Sequence, residues 1–427
     1  MNPTDSNSIR FAGDVNIEYI SVITSTGLVH NIKNQVMAIE IYEDLFSPFI
    51  TGVININESY DFINVLPFIG EEYINLSVFT PSFGNADHIE GQFYIYKVSN
   101  RQILNLRTQI YQIHFISKEA IVDLNKNVSK SYQGKVSDIA KEILTNKIDG
   151  LETEKKVNIE ATSNTTKFIS NYWSPVSSLN YIAGTAISLD NASNYIFFEN
   201  RRGLNFASLD TLYKQPSYMK FVYDNYSRDY RADGGSIIDL NKDYSRLLDI
   251  DVPNVFDYMD RTKSGMYGSK LITFDTTTKR YVVKNYDMLK DFDNNYHLNR
   301  YAAVSKKNIS NPNAMIINYP KAYASHTGYT DVTNASIIQK RISRLMQAES
   351  TKIQVTVMGR TDYTVGMIVE LDLNKMQPIQ KNEDAKDNIF SGRYIVSAIN
   401  HYINRDKHEC SMELIKDSYV VDFNNRS

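Results

Sequence analysis

Strand-length apolar alternation at both ends of the chain, separated by a central stretch of helical periodicity, constrains the fold of this sequence most. The first 118 residues contain NIEYISVI, NQVMAIEIY, FITGVININ, EYINLSVFT, GQFYIYKVS and TQIYQIHFIS, punctuated by Thr26-Gly27, Ser47-Pro48 and the polar run SFGNADHIEG. Regular short strands of this kind predict a small sandwich or barrel. After Phe115 the period changes. Val136, Ile139, Ala140, Ile143 and Leu144 mark one amphipathic helix, and Ser174-Pro175, a cap followed by a first-turn proline, opens a second through Leu179, Ile182, Ala183, Ala186 and Ile187. NYIFFEN and GLNFASL then return to strand, so the middle is mixed α/β. From Gly234 onward SRLLDIDVP, GSKLITFD and KRYVVKNYD read as strands, Asp291 to Asp331 is polar and irregular, and a helix at 335–347 precedes KIQVTVMG, MIVELDL, GRYIVSAIN and ECSMELIK.

One hairpin departs from clean alternation. Val36, Ala38 and Tyr42 fall on one face of VMAIEIY, and Met37, Ile39 and Ile41 fall on the other. A strand apolar on both faces needs a second cover, because a lone antiparallel sheet turns one side to water. Two covers are open: a neighbouring subunit contacting the bend at Leu45, Phe46, Ser47, Pro48 and Phe49, or the chain's own middle-region helices.

The two strand series resemble each other. GQFYIYKV from Gly91 matches GRYIVSAI from Gly392 with Phe93 and Ile95 set against Tyr394 and Val396, and YQIHFISKE from Tyr111 matches CSMELIKDS from Cys410 with Ile113 and Phe115 against Met412 and Leu414. A third match sets Gly70 against Gly366 but leaves the apolar faces one residue out of step, as a bulge or a chance likeness would. Duplication and coincidence both account for alternating strands at this level.

At 427 residues the chain exceeds one ordinary core, and about 100 to 200 residues per domain predicts two to four. A net charge of -3 argues against a duplex-binding face. MNPTDSNSIRF lacks the basic and apolar regions of a signal peptide, and no apolar run reaches membrane-spanning length, so no membrane is expected. Cys410, the single cysteine, suits a reducing place of assembly. No phosphate loop or dinucleotide fingerprint occurs. DFDNNYHL from Asp291 starts like a calcium loop but has Tyr296 and Ala302 where glycine and glutamate are required. His401, His408 and Cys410 read as a buried thiol with two surface histidines, and Glu71-Glu72, Asp249/Asp251 and Glu370/Asp372 as solvated strand or loop ends. Trp173 is expected to pack between helix and sheet. The sequence therefore predicts no catalytic residues, no cofactor and no metal.

Several of these segments, in order, carry a family resemblance. EDLFSPFITGVININES, LPFIGEEYINLSVFTP, FISKEAIVDLNKNVSKSYQGKVSDIAKEIL, WSPVSSLNYIAGTA, FFENRRGLNFASL, GRTDYTVGMIVEL and SGRYIVSAINHYI resemble the central baseplate hub protein of contractile-tailed bacteriophages, departing most at 291–331 and 377–387. The resemblance implies an α+β, mainly β chain with two tail-tube-like antiparallel β-barrel domains and a mixed α/β middle region. On that basis 1–118 forms the first barrel, 119–233 with 288–335 the mixed region facing the spike, and 234–287 with 336–427 the second barrel. It implies a non-enzymatic homotrimeric torus adapting a sixfold tail tube to a threefold central spike, and passing the genome on ejection. Expected partners are tail tube or tube-initiator proteins, the spike or tail lysozyme through an OB-type domain, baseplate wedge proteins and transiently DNA. The expected location is the virion tail baseplate, assembled in the host cytoplasm. Two alternatives are a hub or spike component of a bacterial contractile injection system and a tail-associated cell-wall hydrolase.

Overall fold

The structure is a computed structural model and describes residues 9–65, 68–82, 88–105, 107–223, 240–254, 256–275, 279–304, 311–320, 334–375 and 386–423. Parts of the two polar stretches at 291–331 and 377–387 therefore lie outside the described residues.

Thirteen strands form one large sheet: β1 (Asn16–Ile23), β2 (Val29–Asn31), β3 (Val36–Asp44), β4 (Thr51–Glu58), β5 (Tyr73–Phe79), β6 (Ile89–Asn105), β7 (Thr108–Ser117), β8 (Ser217–Val222), β9 (Leu247–Asn254), β10 (Thr351–Met358), β11 (Ile368–Asp372), β12 (Gly392–Asn404) and β13 (His408–Lys416). Their order is β9-β10-β13-β12-β3-β4-β7-β6-β5-β1-β2, with β11 pairing with β12 and with β8. Every pairing is antiparallel except β8 with β11. The two closed barrels expected from the sequence are thus replaced, among the described residues, by an open ladder. Its two halves are joined through β3 and β12, where Ala38 to Asp44 run against Ala398 to Asn404. β3 is occupied by β4 on one side and β12 on the other, which leaves it no edge with which to close the first half on itself.

The repeat is present in the hydrogen-bond ladder. β3-β4-β7-β6-β5-β1 and β9-β10-β13-β12-β11-β8 have the same spatial order and the same chain order. Ile95 pairs with Phe115 as Val396 pairs with Leu414, and Val98 with Ile113 as Ile399 with Met412. Both ladders shift register at the same place, between Ile95 and Lys97 and between Val396 and Ala398. A bulge adds one residue to one strand and bends it, so a shared bulge marks a shared bend. The Ile95 amide donates to the Glu72 carbonyl at 3.0 Å, and the Val396 amide donates to the Met367 carbonyl, also at 3.0 Å. The out-of-step third match is resolved as well. Ile74 pairs with Phe93 and Val369 with Tyr394, so the strands correspond one residue away from the glycine alignment. Gly70 and Gly366 both adopt positive φ, 93° and 82°, ahead of those strands, and the second turn is one residue shorter.

Apolar packing follows the same division. One cluster lies within the first module (Ile20, Ile39, Ile54, Ile74, Phe93, Phe115), and another within the second (Ile353, Val369, Tyr394, Val396, Met412, Leu414). A third fills the middle region. There helices α1 (Val136–Thr145) and α2 (Pro175–Ala183) pack over a hairpin of Val128–Lys135 with Thr165–Trp173 and a three-stranded sheet built on Tyr195–Asn200. Ser174 caps α2 by accepting from the Ser177 amide at 3.3 Å, and Trp173 packs on Tyr181 with ring centroids 5.3 Å apart. Helix α3 (Asn334–Ala348) closes the chain's return to the sheet. The segment 268–287, assigned from sequence to the second barrel, does not join that module's ladder. Gly268–Asp275 pairs with Arg280–Asp287 on one side and with Ile316–Pro320 on the other in a separate three-stranded sheet.

Candidate functional surface

The bend at 45–49 is a junction of three cores. Leu45 is wholly buried in the second module's cluster, Phe49 is buried in the middle region's cluster with its ring edge-on to Phe197, and Ile50 belongs to the first module. Phe46 remains 42% exposed, and Ser47 and Pro48 are half-buried. The chain itself therefore covers the apolar side chains at Leu45 and Phe49, and only 46–48 present surface. The second apolar face on β3 is also smaller than the sequence suggests. The register shifts between Val36 and Ala38, Met37 is exposed, and Ile39, Ile41 and Glu43 point to one side while Glu40 and Tyr42 point to the other.

Polar clasps reinforce this junction. Glu43, fully buried on β3, accepts from the Thr364 hydroxyl and from the Val365 amide at 3.2 Å, and burial pushes its carboxyl up to about 7. Thr80 and Thr361 exchange amide-to-hydroxyl bonds at 3.0 Å in both directions. Lys155 reaches Glu199 at 2.6 Å and Glu119 at 2.7 Å, and Glu199 also accepts from the Ile50 amide at 3.1 Å. Buried carboxylates are tolerated because each has such partners.

From β9 to β6 neighbouring strands run antiparallel, and one side of the sheet carries polar side chains around a groove. Asn55, Asn57, Gln112, Tyr402 and Asn404 line a groove of about 1050 Å³ across the joined modules. Asp249, Asp251, Gln354, Ser411 and Glu413 continue it over the second module. Amides bridge amides there, Gln112 donating to Asn55 at 2.9 Å. The chemistry is mainly that of neutral amides with interspersed carboxylates, and Arg405 is the cation in that lining, not a row of cations that would hold a polyanion.

Two edges of the ladder carry unpaired stretches among the described residues. Among the described residues β9 (Leu247–Asn254) pairs along its length with β10, while the residue before it, Arg246, bridges Val222 of β8; the far half of β6, from Val98, pairs with β7, since β5 ends its pairing at Tyr94. Ile103 and Leu104 on that half of β6 are 72% and 58% exposed. Asp249 and Asp251 are exposed on β9, and Lys97 and Arg101 on β6.

The remaining sequence candidates have local structural roles. Glu72 accepts from the Ile69 and Gly70 amides at 3.0 and 2.9 Å and so fixes a turn, and Asp372 pairs with Lys220 and Lys386. Asp291 accepts from Tyr286 and Asn295. His401 and His408, read from sequence as surface groups, are wholly buried beside Cys410. Burial pushes His401 down to about 3 and raises the thiol. Among the described residues no helix is long and apolar enough to cross a membrane.

No protein-family model matches the sequence, and no curated protein matches it. Solved structures do. The chain is similar to a tail protein from Neisseria meningitidis MC58, with a TM-score of 0.54 and 11% identity over 93% of this chain and 96% of that one. It is also similar to the 43 kDa tail protein of prophage MuSo2 from Shewanella oneidensis, with a TM-score of 0.56 and 10% identity over 94% of this chain and 99% of that one. The likeness spans nearly the full length of all three chains, so the chain shares the fold of these two tail proteins.

Proposed function

We propose that this chain is a non-enzymatic structural hub of a contractile phage tail baseplate, acting as a homotrimeric ring between a sixfold tube and a threefold spike. The observation that carries this reading is the internal joint between modules. β12 of the second module extends past its own partner β11 to pair with β3 of the first. The equivalent groups in the other direction are the far half of β6 and the outer edge of β9 beyond the Arg246–Val222 bridge, both without a strand partner among the described residues. Long unpaired edges are templates for strand addition. Pairing β6 of one copy with β9 of the next repeats the internal joint between chains and brings Lys97 and Arg101 toward Asp249 and Asp251. Three copies then close a wall of twenty-four strands, eight from each chain, with six similar modules. Such a contact is heterologous, and closure of the rotation makes it a ring.

In this assembly the amide-lined face forms the bore, and a genome passes it without strong adsorption. The modules' rims meet tube or tube-initiator proteins on one side. The middle region meets the spike or tail lysozyme, through an OB-type domain of that partner, on the other. Phe46, Ser47 and Pro48 contribute to contacts between chains. Light scattering on the purified protein tests this, with three times the chain mass expected. A monomer at every concentration, or clearing of a peptidoglycan suspension by the protein alone, counts against the structural hub.

A further inference from the structure

The outer end of the β12–β13 hairpin carries three donors on its inner face. His401 stands opposite Cys410, and His408 opposite Ile403, so the two imidazoles and the thiol converge. His401 Nδ1 lies 3.0 Å from His408 Nε2, and Cys410 Sγ lies 3.3 Å from the former and 3.4 Å from the latter. All three side chains are fully buried. We propose that this triad is a metal site, taking one zinc-class divalent cation per chain and pinning the hairpin where the two modules join.

Bond lengths of about 2.0 to 2.1 Å to nitrogen and about 2.3 Å to sulfur set the edges of a zinc tetrahedron at about 3.3 to 3.6 Å. The observed triangle is within a few tenths of an ångström of that. Two imidazoles and a thiolate select a borderline-soft ion over calcium or magnesium. Three protein donors leave the fourth position to an exchangeable ligand.

Hydrogen bonding alone leaves the triad poorly satisfied. Among the described residues His408 Nδ1, on the far side of its ring, has no hydrogen-bond partner, and His401 Nε2 makes none of good geometry, lying beside the Tyr363 backbone and the Glu43 carboxyl. In each neutral tautomer a ring N–H points either at its neighbour or at that unpartnered side. A cation takes the lone pairs of both facing nitrogens and sends both protons outward. His401 Nε2 then points its proton toward Glu43 Oε1, now 3.9 Å away, the carboxylate behind a ligating histidine that commonly orients such sites.

The pocket is built for the His408 ring. A Cβ at Gly359 would stand 2.3 Å from it, the Gly359 amide donates to the His408 carbonyl at 2.8 Å, and the His408 amide donates to the Gly13 carbonyl at 2.9 Å. The first module's equivalents on β7, Gln109 and Tyr111, offer no matching ligands, so the stoichiometry is one per chain rather than one per module.

The full-length protein, purified without chelator, is analysed for metal and then, after chelation, titrated with Co²⁺ and Zn²⁺. The expected results are about one zinc per chain, a thiolate-to-cobalt absorption band that zinc abolishes, and a melting temperature that falls on chelation and recovers with zinc. Cys410→Ala, which removes only the buried sulfur, keeps the circular dichroism of the parent but loses the band and the zinc response. His408→Gln reduces stoichiometry to background. A parent protein that neither retains zinc nor gains stability from it overturns the proposal, as does a Cys410→Ala variant that still shows the band. A site that binds in a protein that stays monomeric leaves this inference standing while the ring reading falls.

Discussion

Arg344 Nη2 donates to Asp210 Oδ1 at 2.6 Å, and both side chains are buried, so α3 is tied by charge to the short helix Leu209–Tyr213. Arg344 also approaches Asp417 Oδ2 at 3.5 Å, and Asp417 Oδ2 lies 2.7 Å from His297 Nδ1. One guanidinium thus joins the middle region to the end of β13. Removing one member of a buried ionic group leaves its partner uncompensated, which typically costs about 3 to 5 kcal/mol. Arg344→Met is expected to lower the urea midpoint accordingly, and adding Asp210→Asn recovers part of the loss. Additive losses in the double-mutant comparison would exclude the coupling.

Lys416 gives the stability a pH dependence. Its ammonium donates to the Ile389 carbonyl at 2.5 Å and lies 4.6 and 4.7 Å from the Tyr394 and Tyr419 ring centres, yet burial dominates and pulls it from 10.5 down to about 7. The folded-state value is depressed for a base. Between about pH 7 and about 10 the unfolded chain therefore binds a proton that the folded chain lacks, and stability rises with pH across that window. The full effect is at most about 5 kcal/mol, at about 1.4 kcal/mol per unit. Thermal melts of Lys416→Met should lose that rise. An unchanged slope would assign it to other groups.

The repeat can be tested by its packing. Gly52 faces Phe115 across the ladder, as Ile353 faces Leu414 in the second module. A Cβ at Gly52 would lie 2.2 Å from the Phe115 ring and 2.5 Å from the Glu40 carbonyl oxygen. The modules exchange a small-plus-large pair for two medium side chains. Gly52→Ala alone should cost about 1 to 3 kcal/mol by overpacking. Phe115→Leu alone costs by cavity formation, and the double variant is more stable than either cost summed. Calorimetry of the four proteins reads this directly.

The open edges give a different readout. Ile103 and Leu104 are exposed in one chain, so replacing both with lysine leaves the monomer's melting temperature within about 0.5 kcal/mol-equivalent of the parent. It should nevertheless abolish the threefold species in light scattering. Phe46→Asp is likewise expected to spare the monomer, whereas Leu45→Asp, which places a charge in the second module's core, unfolds it. Retention of the trimer by the Ile103→Lys, Leu104→Lys protein would rule out the β6 edge.

The strand modules were legible because side-chain alternation survives divergence. Phe93, Ile95, Tyr394 and Val396 carried the correspondence that the shared bulge bears out. The joint between β3 and β12 was not legible, since main-chain pairing across an edge leaves no mark on side-chain pattern. The intramolecular cover of Leu45 and Phe49 depends on contacts more than a hundred residues away. The burial of His401 did have a signal. It shares parity on β12 with Ile399 and Ile403, and His408 and Cys410 share parity with Met412 and Leu414. Reading the histidines as polar residues rather than by their position in the alternation concealed that.

Because β3 and β12 belong to one polypeptide, their union is unimolecular and indifferent to dilution. Any larger body made from this chain must therefore fall apart into paired modules and never into single ones.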